Sequence, residues 1–222
     1  VAGTALGAVV LGPALAPGAL FNLDLVLTSD IPVPQGVWGL GPELPRRLPF
    51  MVPLAWASVV VDGTVVAKVV LVAMFAVAFA GAQRLVGDRG APTRLAAGAL
   101  YAASPFLVTR VATGYLGVAL TAAVLPWVLP RLLRPSASIS RTFLAAAGLG
   151  ACGITGGIVA AAAALAGLMA TPPPRRAPRV VGAVLVAQLP WLVPGVIVFR
   201  QGVRLAAAGE FATRAPGLGG PF

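Results

Sequence analysis

Long apolar stretches separated by short polar segments dominate the chain. A helix needs about 20 apolar residues to cross the hydrocarbon core of a bilayer, and most of these stretches meet or approach that length. They occupy residues 1–20, 50–61, 64–85, 91–108, 112–130, 142–170 and 180–199. About seven apolar segments predict an all-α, polytopic transmembrane bundle, with residues 1–222 as one transmembrane domain.

The composition excludes a soluble domain. Hydrophobic residues make up 59% of the chain and charged residues 10%, whereas a typical soluble domain carries about 25% charged residues. The net charge of +10 does not predict nucleic-acid binding, because the 16 Lys and Arg residues are scattered between apolar segments rather than gathered in one patch. We therefore expect a multi-pass protein of the cell membrane whose partners include membrane lipids.

The arginines predict an orientation. Three short basic loops, residues 84–94, 131–141 and 171–179, each carry three Arg, and such loops mark the cytoplasmic side. Residues 21–61 then form a long first outer loop, in which residues 50–61 are expected to be an interfacial helix. The first helix is expected to run outward through Leu20, and residues 104–115 are expected to form an outer turn.

Residues 142–170 have basic loops on both sides, so they are expected to start and end on the cytoplasmic side. Their centre, residues 148–157, is rich in glycine, which breaks helices and lets backbones approach closely. This pattern predicts a re-entrant hairpin of two half-length helices rather than two complete spans.

Acidic residues in the first outer loop are the main catalytic candidates. Asp24 and Asp30 follow the first apolar stretch by four and ten residues. A carboxylate at the membrane surface can accept a proton from a hydroxyl within hydrogen-bond reach. The alternative is an ordinary solvated loop acid.

Four cations are candidates for binding a lipid phosphate. Arg46 and Arg47 lie in the first outer loop, and Arg110 is flanked by apolar residues. The planar guanidinium suits phosphate, although headgroup anchoring is the alternative for the pair. Lys68 lies one turn inside an apolar segment, where it is either functional or snorkels to the interface.

Zinc and disulfide chemistry are excluded by the absence of His and by the single cysteine, Cys152. An oxygen-ligated divalent cation, Mg or Mn, is the metal still compatible with the sequence. The common nucleotide-binding and hydrolase motifs are also absent.

The segment from Ser104-Pro105-Phe106 through Arg110 to Tyr115, followed by Leu125-Pro126-Trp127, resembles a family of polytopic membrane proteins. These are GT-C-like glycosyltransferases of actinobacteria and archaea, in which an Asn-Pro-Phe-x-x-x-Arg turn precedes a helix ending in Leu-Pro-Trp. Asp24-Leu25-Val26 and Gln188-Leu189-Pro190-Trp191 fit the same pattern. The chain differs from the family at three positions. Ser104 stands where the family has Asn, Thr109 where it has an acidic residue, and Tyr115 where it has Gln-Trp.

The resemblance implies a membrane enzyme that transfers a sugar from a polyprenyl-phosphate donor to a cell-envelope glycan acceptor on the outer face. It implies that Asp24 is the base, with Asp30 as the alternative, and that Arg110 is the leading phosphate contact. Two other classes stay open. The glycine-broken hairpin is typical of a transporter or flippase, and a non-enzymatic membrane assembly subunit is the third reading.

Overall fold

The computed structural model describes residues 1–22, 25–31, 49–134, 138–170 and 177–200. The α-helices in these ranges are α1 (Ala2–Leu11), α2 (Met51–Ser58), α3 (Gly63–Val86), α4 (Ala91–Ala102), α5 (Pro105–Ala112), α6 (Leu116–Leu133), α7 (Ile139–Gly150), α8 (Ile154–Ala170) and α9 (Ala177–Arg200). A 3₁₀ helix (Gly12–Leu15) follows α1, and two short antiparallel strands, β1 (Leu20–Asn22) and β2 (Leu25–Leu27), pair Leu20 with Leu27.

Helices long enough to cross a membrane are present, as the hydropathy pattern predicts. Within the described residues there are four such stretches by length and apolar composition: Gly63–Val86, Ala91–Ala112, Leu116–Leu133 and Ala177–Ile197. The second of these combines α4 and α5. The predicted helical membrane class is therefore confirmed, while the count of seven membrane segments stays a prediction.

The prediction of a first helix running through Leu20 is wrong. Helix α1 ends at Leu11, where Gly12 takes a positive φ of 45° and Pro13 supplies no backbone N–H for a continued α-helix. Leu20 instead begins β1. The helix that remains is short and packs on α3, where Gly7 lies against Phe75.

Helix α3 starts at a well-defined N-cap. The Asp62 carboxylate accepts hydrogen bonds from the Thr64 backbone N–H (2.8 Å) and the Thr64 hydroxyl (2.5 Å). The Gly63 N–H donates to the Ser29 carbonyl at 2.7 Å, which joins the chain after β2 to this helix. Helix α2 just upstream agrees in position with the short apolar segment at residues 50–61, and its interfacial location stays a prediction.

The expected turn at residues 104–115 is mostly helical, so the predicted conformation is wrong, while its location on the outer side stays a prediction. The Ser104 hydroxyl accepts a hydrogen bond from the Leu107 N–H (3.4 Å), and Pro105 occupies the first helical position. Both features favour the start of a helix, and α5 results. It ends before Gly114, whose φ is 85°.

Residues 139–170 form two helices, α7 and α8, as the glycine-rich centre predicts. The break lies at residues 151–153, where Gly153 has a φ of 100°. The Cys152 carbonyl oxygen lies 2.8 Å from the place that a Cβ at Gly117 would occupy, so the tip meets the first turn of α6. At the other end, Gly167 of α8 lies against the Leu133 carbonyl near the end of α6. Helix α8 thus runs beside most of α6, and re-entry of the hairpin stays a prediction.

Two hydrophobic clusters form the core, and α6 belongs to both. The first centres on buried α3 residues such as Leu71 and Phe75, and the second unites Leu132 of α6 with Leu149 of α7 and Val180 of α9. The first cluster thus collects residues from the first half of the chain and the second cluster residues from the second half, and α6 contributes to both.

Candidate functional site

Helix α5 holds Arg110 between two aromatic rings. The Arg110 guanidinium carbon lies 5.4 Å from the centroid of the Phe106 ring and 5.5 Å from that of Tyr115. Phe106 is one turn earlier on the same helix, and the positive φ of Gly114 turns the chain so that Tyr115 comes back beside the arginine. Cation–π attraction to two rings restricts the orientation of the guanidinium.

One hydrogen-bond donor of the Arg110 guanidinium is unused within the described residues. Its Nε is buried and has no hydrogen-bond partner among the described residues. The neighbouring hydroxyls do not compete for a ligand, because Thr109 donates to the Pro105 carbonyl (2.6 Å) and Thr113 to the Thr109 carbonyl (2.8 Å). A planar guanidinium held in one orientation is suited to an oxyanion.

An apolar groove of about 430 Å³ opens on another side of α5. It lies between the segment after α1, Leu71 and Phe75 of α3, and Val108 and Ala112 of α5. At about 100° per residue, Arg110 lies about 200° around the helix from Val108. The arginine therefore does not line the groove, and the two features are separate.

Lys68 has a structural role in the described part of the chain. Its ammonium group donates hydrogen bonds to the carbonyls of Ala16 and Gly18, the latter at 2.9 Å. These contacts tie the segment after the 3₁₀ helix to α3. They give the ammonium group partners within a candidate membrane span, where an unpaired charge is costly.

The structure gives less support to the acidic candidates than to Arg110. Asp30 is exposed, and its backbone carbonyl accepts a hydrogen bond from the Thr28 hydroxyl at 2.5 Å. No ion pair forms among the described residues, so Asp30 is not paired there with Lys68 or Arg110. Asp24, Arg46 and Arg47 lie outside the described residues, and their roles stay predictions.

The described residues do not bring together three His, Cys, Asp or Glu side chains that could hold a metal ion. Asp30 and Asp62 are both exposed in the segments around the start of α3. Binding of Mg or Mn therefore stays a prediction.

The buried polar contacts around the α7–α8 break were not predicted from the sequence. Gln188 of α9 is 4% exposed, donates to the Ala146 carbonyl (3.3 Å) and accepts from the Trp191 indole N–H (2.8 Å). Gly150 and Gly157 leave the space for these side chains. The two glycines were the available signal, since glycine in an apolar helix often marks close packing.

Comparison with models of protein families, with curated proteins and with solved structures finds no match. The class of protein is therefore inferred from the length, composition and exposed surface of the helices. Four described stretches are long and apolar enough to span a bilayer, and the surface of the bundle carries large exposed aliphatic side chains such as Val69, Leu100 and Leu165. In water such a surface would be unfavourable. The chain is a helical membrane protein.

Proposed function

We propose that this protein is a GT-C-like membrane glycosyltransferase that transfers a sugar from a polyprenyl-phosphate donor to a cell-envelope acceptor on the outer face of the cell membrane. The observation that carries the proposal is the aromatic clamp on Arg110, which orients a guanidinium whose buried Nε–H has no hydrogen-bond partner among the described residues. The residues of the resemblance, Phe106, Arg110 and Tyr115, are the ones that build this clamp.

In the proposed reaction the acceptor hydroxyl oxygen attacks the anomeric carbon of the sugar. The bond between that carbon and the phosphate oxygen breaks, and the electron pair stays on the polyprenyl phosphate. A carboxylate takes the hydroxyl proton, a role proposed for Asp24 with Asp30 as the alternative. Arg110 stabilises the phosphate charge through its N–H groups, with Arg46, Arg47 and Lys68 as further cations of the predicted outer face.

Sugar transfer by purified full-length protein tests the proposal. We expect Asp24→Asn to lower the rate about 10²–10⁴-fold, as removal of a general base does. Arg110→Gln is expected to lower it about 10–100-fold, because a hydrogen bond to a charged group contributes about 1.5–3 kcal/mol. Arg94→Gln is the matched control. Arg94 is exposed on α4, and its substitution changes the net charge by the same amount. If the wild type transfers no sugar from any polyprenyl-phosphate donor, the proposal fails.

Asp30→Asn separates the two candidate bases. Loss of transfer in this variant with full activity in Asp24→Asn would assign the base to Asp30. Unchanged transfer in Arg110→Gln would remove Arg110 from the phosphate site, even if the enzyme class held.

A transporter or flippase is the second candidate, and one observation favours it. The helix break at residues 151–153 lies beside a buried glutamine, Gln188, in a part of the bundle where Thr121 and Thr142 are the other buried polar side chains described. Broken helices near polar groups form substrate sites in transporters. Uptake or lipid flipping by reconstituted protein that transfers no sugar would favour this candidate over the enzyme.

A further inference from the structure

Helices α7 and α9 run side by side in the same direction. Ile139, Ser140 and Phe143 of α7 lie opposite the stretch from Arg179 to Val186 of α9. Farther along both helices, Gln188 donates to the Ala146 carbonyl. Both helices therefore begin at the same end of the bundle, the end that the basic loops predict to be cytoplasmic.

A groove of about 470 Å³ lies between the first halves of these two helices. On α9 it is lined by Arg179, Gly182, Ala183 and Val186, which share one helix face because they are spaced at three and four residues. Its polar groups, Ser140 and Arg179, lie where the helices begin. The rest is apolar and extends about 10 Å from Arg179 to Val186, at 1.5 Å per residue.

The charge at the mouth of this groove has no acidic counterpart in the chain nearby. Arg179 is exposed and forms no ion pair with the described residues, and no Asp or Glu occurs between Asp88 and Glu210. Arg175 and Arg176 precede it in sequence, outside the described residues. The two parallel helix N-termini add partial positive charge at the same end.

We propose that this groove binds an anionic phospholipid, with the phosphate at Arg179 and one acyl chain along Gly182, Ala183 and Val186. The complementarity is between a cation that forms no ion pair with the described residues and an anionic headgroup. The apolar part of the groove lies within the candidate span Ala177–Ile197, where acyl chains are the surrounding solvent. Basic pockets between helices on the cytoplasmic side are known to take such headgroups.

Native mass spectrometry of the detergent-purified protein, titrated with phosphatidylglycerol or with phosphatidylcholine, tests the site. We expect phosphatidylglycerol to bind more tightly. Arg179→Gln should weaken its binding about five-fold, which corresponds to the roughly 1 kcal/mol that one basic residue contributes near an anionic lipid surface. Arg134→Gln is the matched control, because Arg134 is exposed at the end of α6 and does not line the groove.

Gly182→Leu tests the chain-binding part independently of charge. A Cβ at Gly182 meets no atom within 4 Å, so the added side chain should enter the groove without disturbing the helices. It should weaken phosphatidylglycerol binding while the protein stays monodisperse. Equal weakening by Arg134→Gln and Arg179→Gln would overturn the proposal, as would unchanged binding in Gly182→Leu. If soluble glycerol phosphate displaced phosphatidylglycerol as well as a phospholipid does, the site would be assigned to a free anion, and the proposal would also be overturned.

Discussion

At the scale of single residues, glycines decide how closely the helices of the second half approach one another. A Cβ at Gly150 would lie 2.6 Å from the Gln188 side-chain oxygen, and a Cβ at Gly157 would lie 2.6 Å from the Trp191 indole nitrogen. Side chains of neighbouring helices thus occupy the volume that any other residue would fill. Trp127 repeats the arrangement on α6, where its indole N–H donates to the Val77 carbonyl (2.9 Å) and its ring lies against Gly81.

Gly157→Ala should destabilise the protein, because the added methyl group overlaps Gln188 and Trp191 in a packed interior. Overpacking of this kind costs about 1–3 kcal/mol. Thermal unfolding of the purified protein in detergent measures the effect. Gly182→Ala is the control, since a methyl group there meets no atom within 4 Å. If both variants unfold at the wild-type temperature, the prediction of close packing at Gly157 is wrong.

At the scale of elements, the pair α7–α8 is the part of the fold whose relation to the membrane matters most. The turn at residues 151–153 lies beside the beginning of α6, and the end of α8 lies beside the end of α6. Both ends of the pair therefore lie near the same end of the bundle. This geometry agrees with entry and exit on one face, which the flanking basic loops predict to be the cytoplasmic one.

Single cysteines introduced into a Cys152→Ala background test this orientation. We expect cysteines at Asp88, Ser140 and Thr171 to be protected from an impermeant thiol reagent in intact cells and to react after permeabilisation. A cysteine at Val61, before α3, should react in intact cells. Labelling at Asp88 without permeabilisation would contradict the whole orientation, whereas labelling at Thr171 alone would contradict the hairpin.

A cysteine at Ala151, which is exposed at the tip, measures the depth of the hairpin. Reaction from the outside would indicate that the pair crosses the bilayer completely. Protection on both sides is expected for a re-entrant hairpin.

At the scale of the whole molecule, α6 connects two cores and very little of the fold depends on charge. The chain has no His, so no side chain has an unperturbed pKa between about 5 and 8. Hydrogen bonds from the Thr64 hydroxyl and the Thr64 N–H lower the pKa of Asp62 below its ordinary value of 3.8. A lowered carboxyl pKa adds stability above the unfolded-state pKa, and this stability is lost as the pH falls through the folded-state pKa.

The temperature of unfolding should therefore stay nearly constant from pH about 7 to about 5 and should fall below pH about 4. Thermal unfolding in detergent across this range checks the prediction. Asp62→Asn, which keeps a capping oxygen but does not titrate, should reduce the acid-induced fall. A transition centred between pH 5 and 7 would contradict it.

The sequence alone determined the membrane class, the positions of α3, α6 and α9, and the break between α7 and α8. Each follows from local properties, because a bilayer requires long apolar helices and a cluster of glycines weakens a helix, which here breaks at Gly153. The same local rules failed at the first helix, where apolar residues continue past Leu11 but Gly12 and Pro13 end the α-helix. They failed again after Ser104, where a cap and a proline start α5.

Tertiary structure alone decided which side chains meet. Lys68 donates to carbonyls about fifty residues earlier in the chain, Trp127 to a carbonyl fifty residues away, and Gln188 to one on α7. Local sequence patterns do not identify the partners in these contacts, because the partners depend on how α3, α6, α7 and α9 pack. The Arg110 clamp depends partly on local sequence and partly on the path of the chain after α5. Its ring at Phe106 follows from helical spacing, but the ring of Tyr115 reaches the arginine because Gly114 turns the backbone after α5.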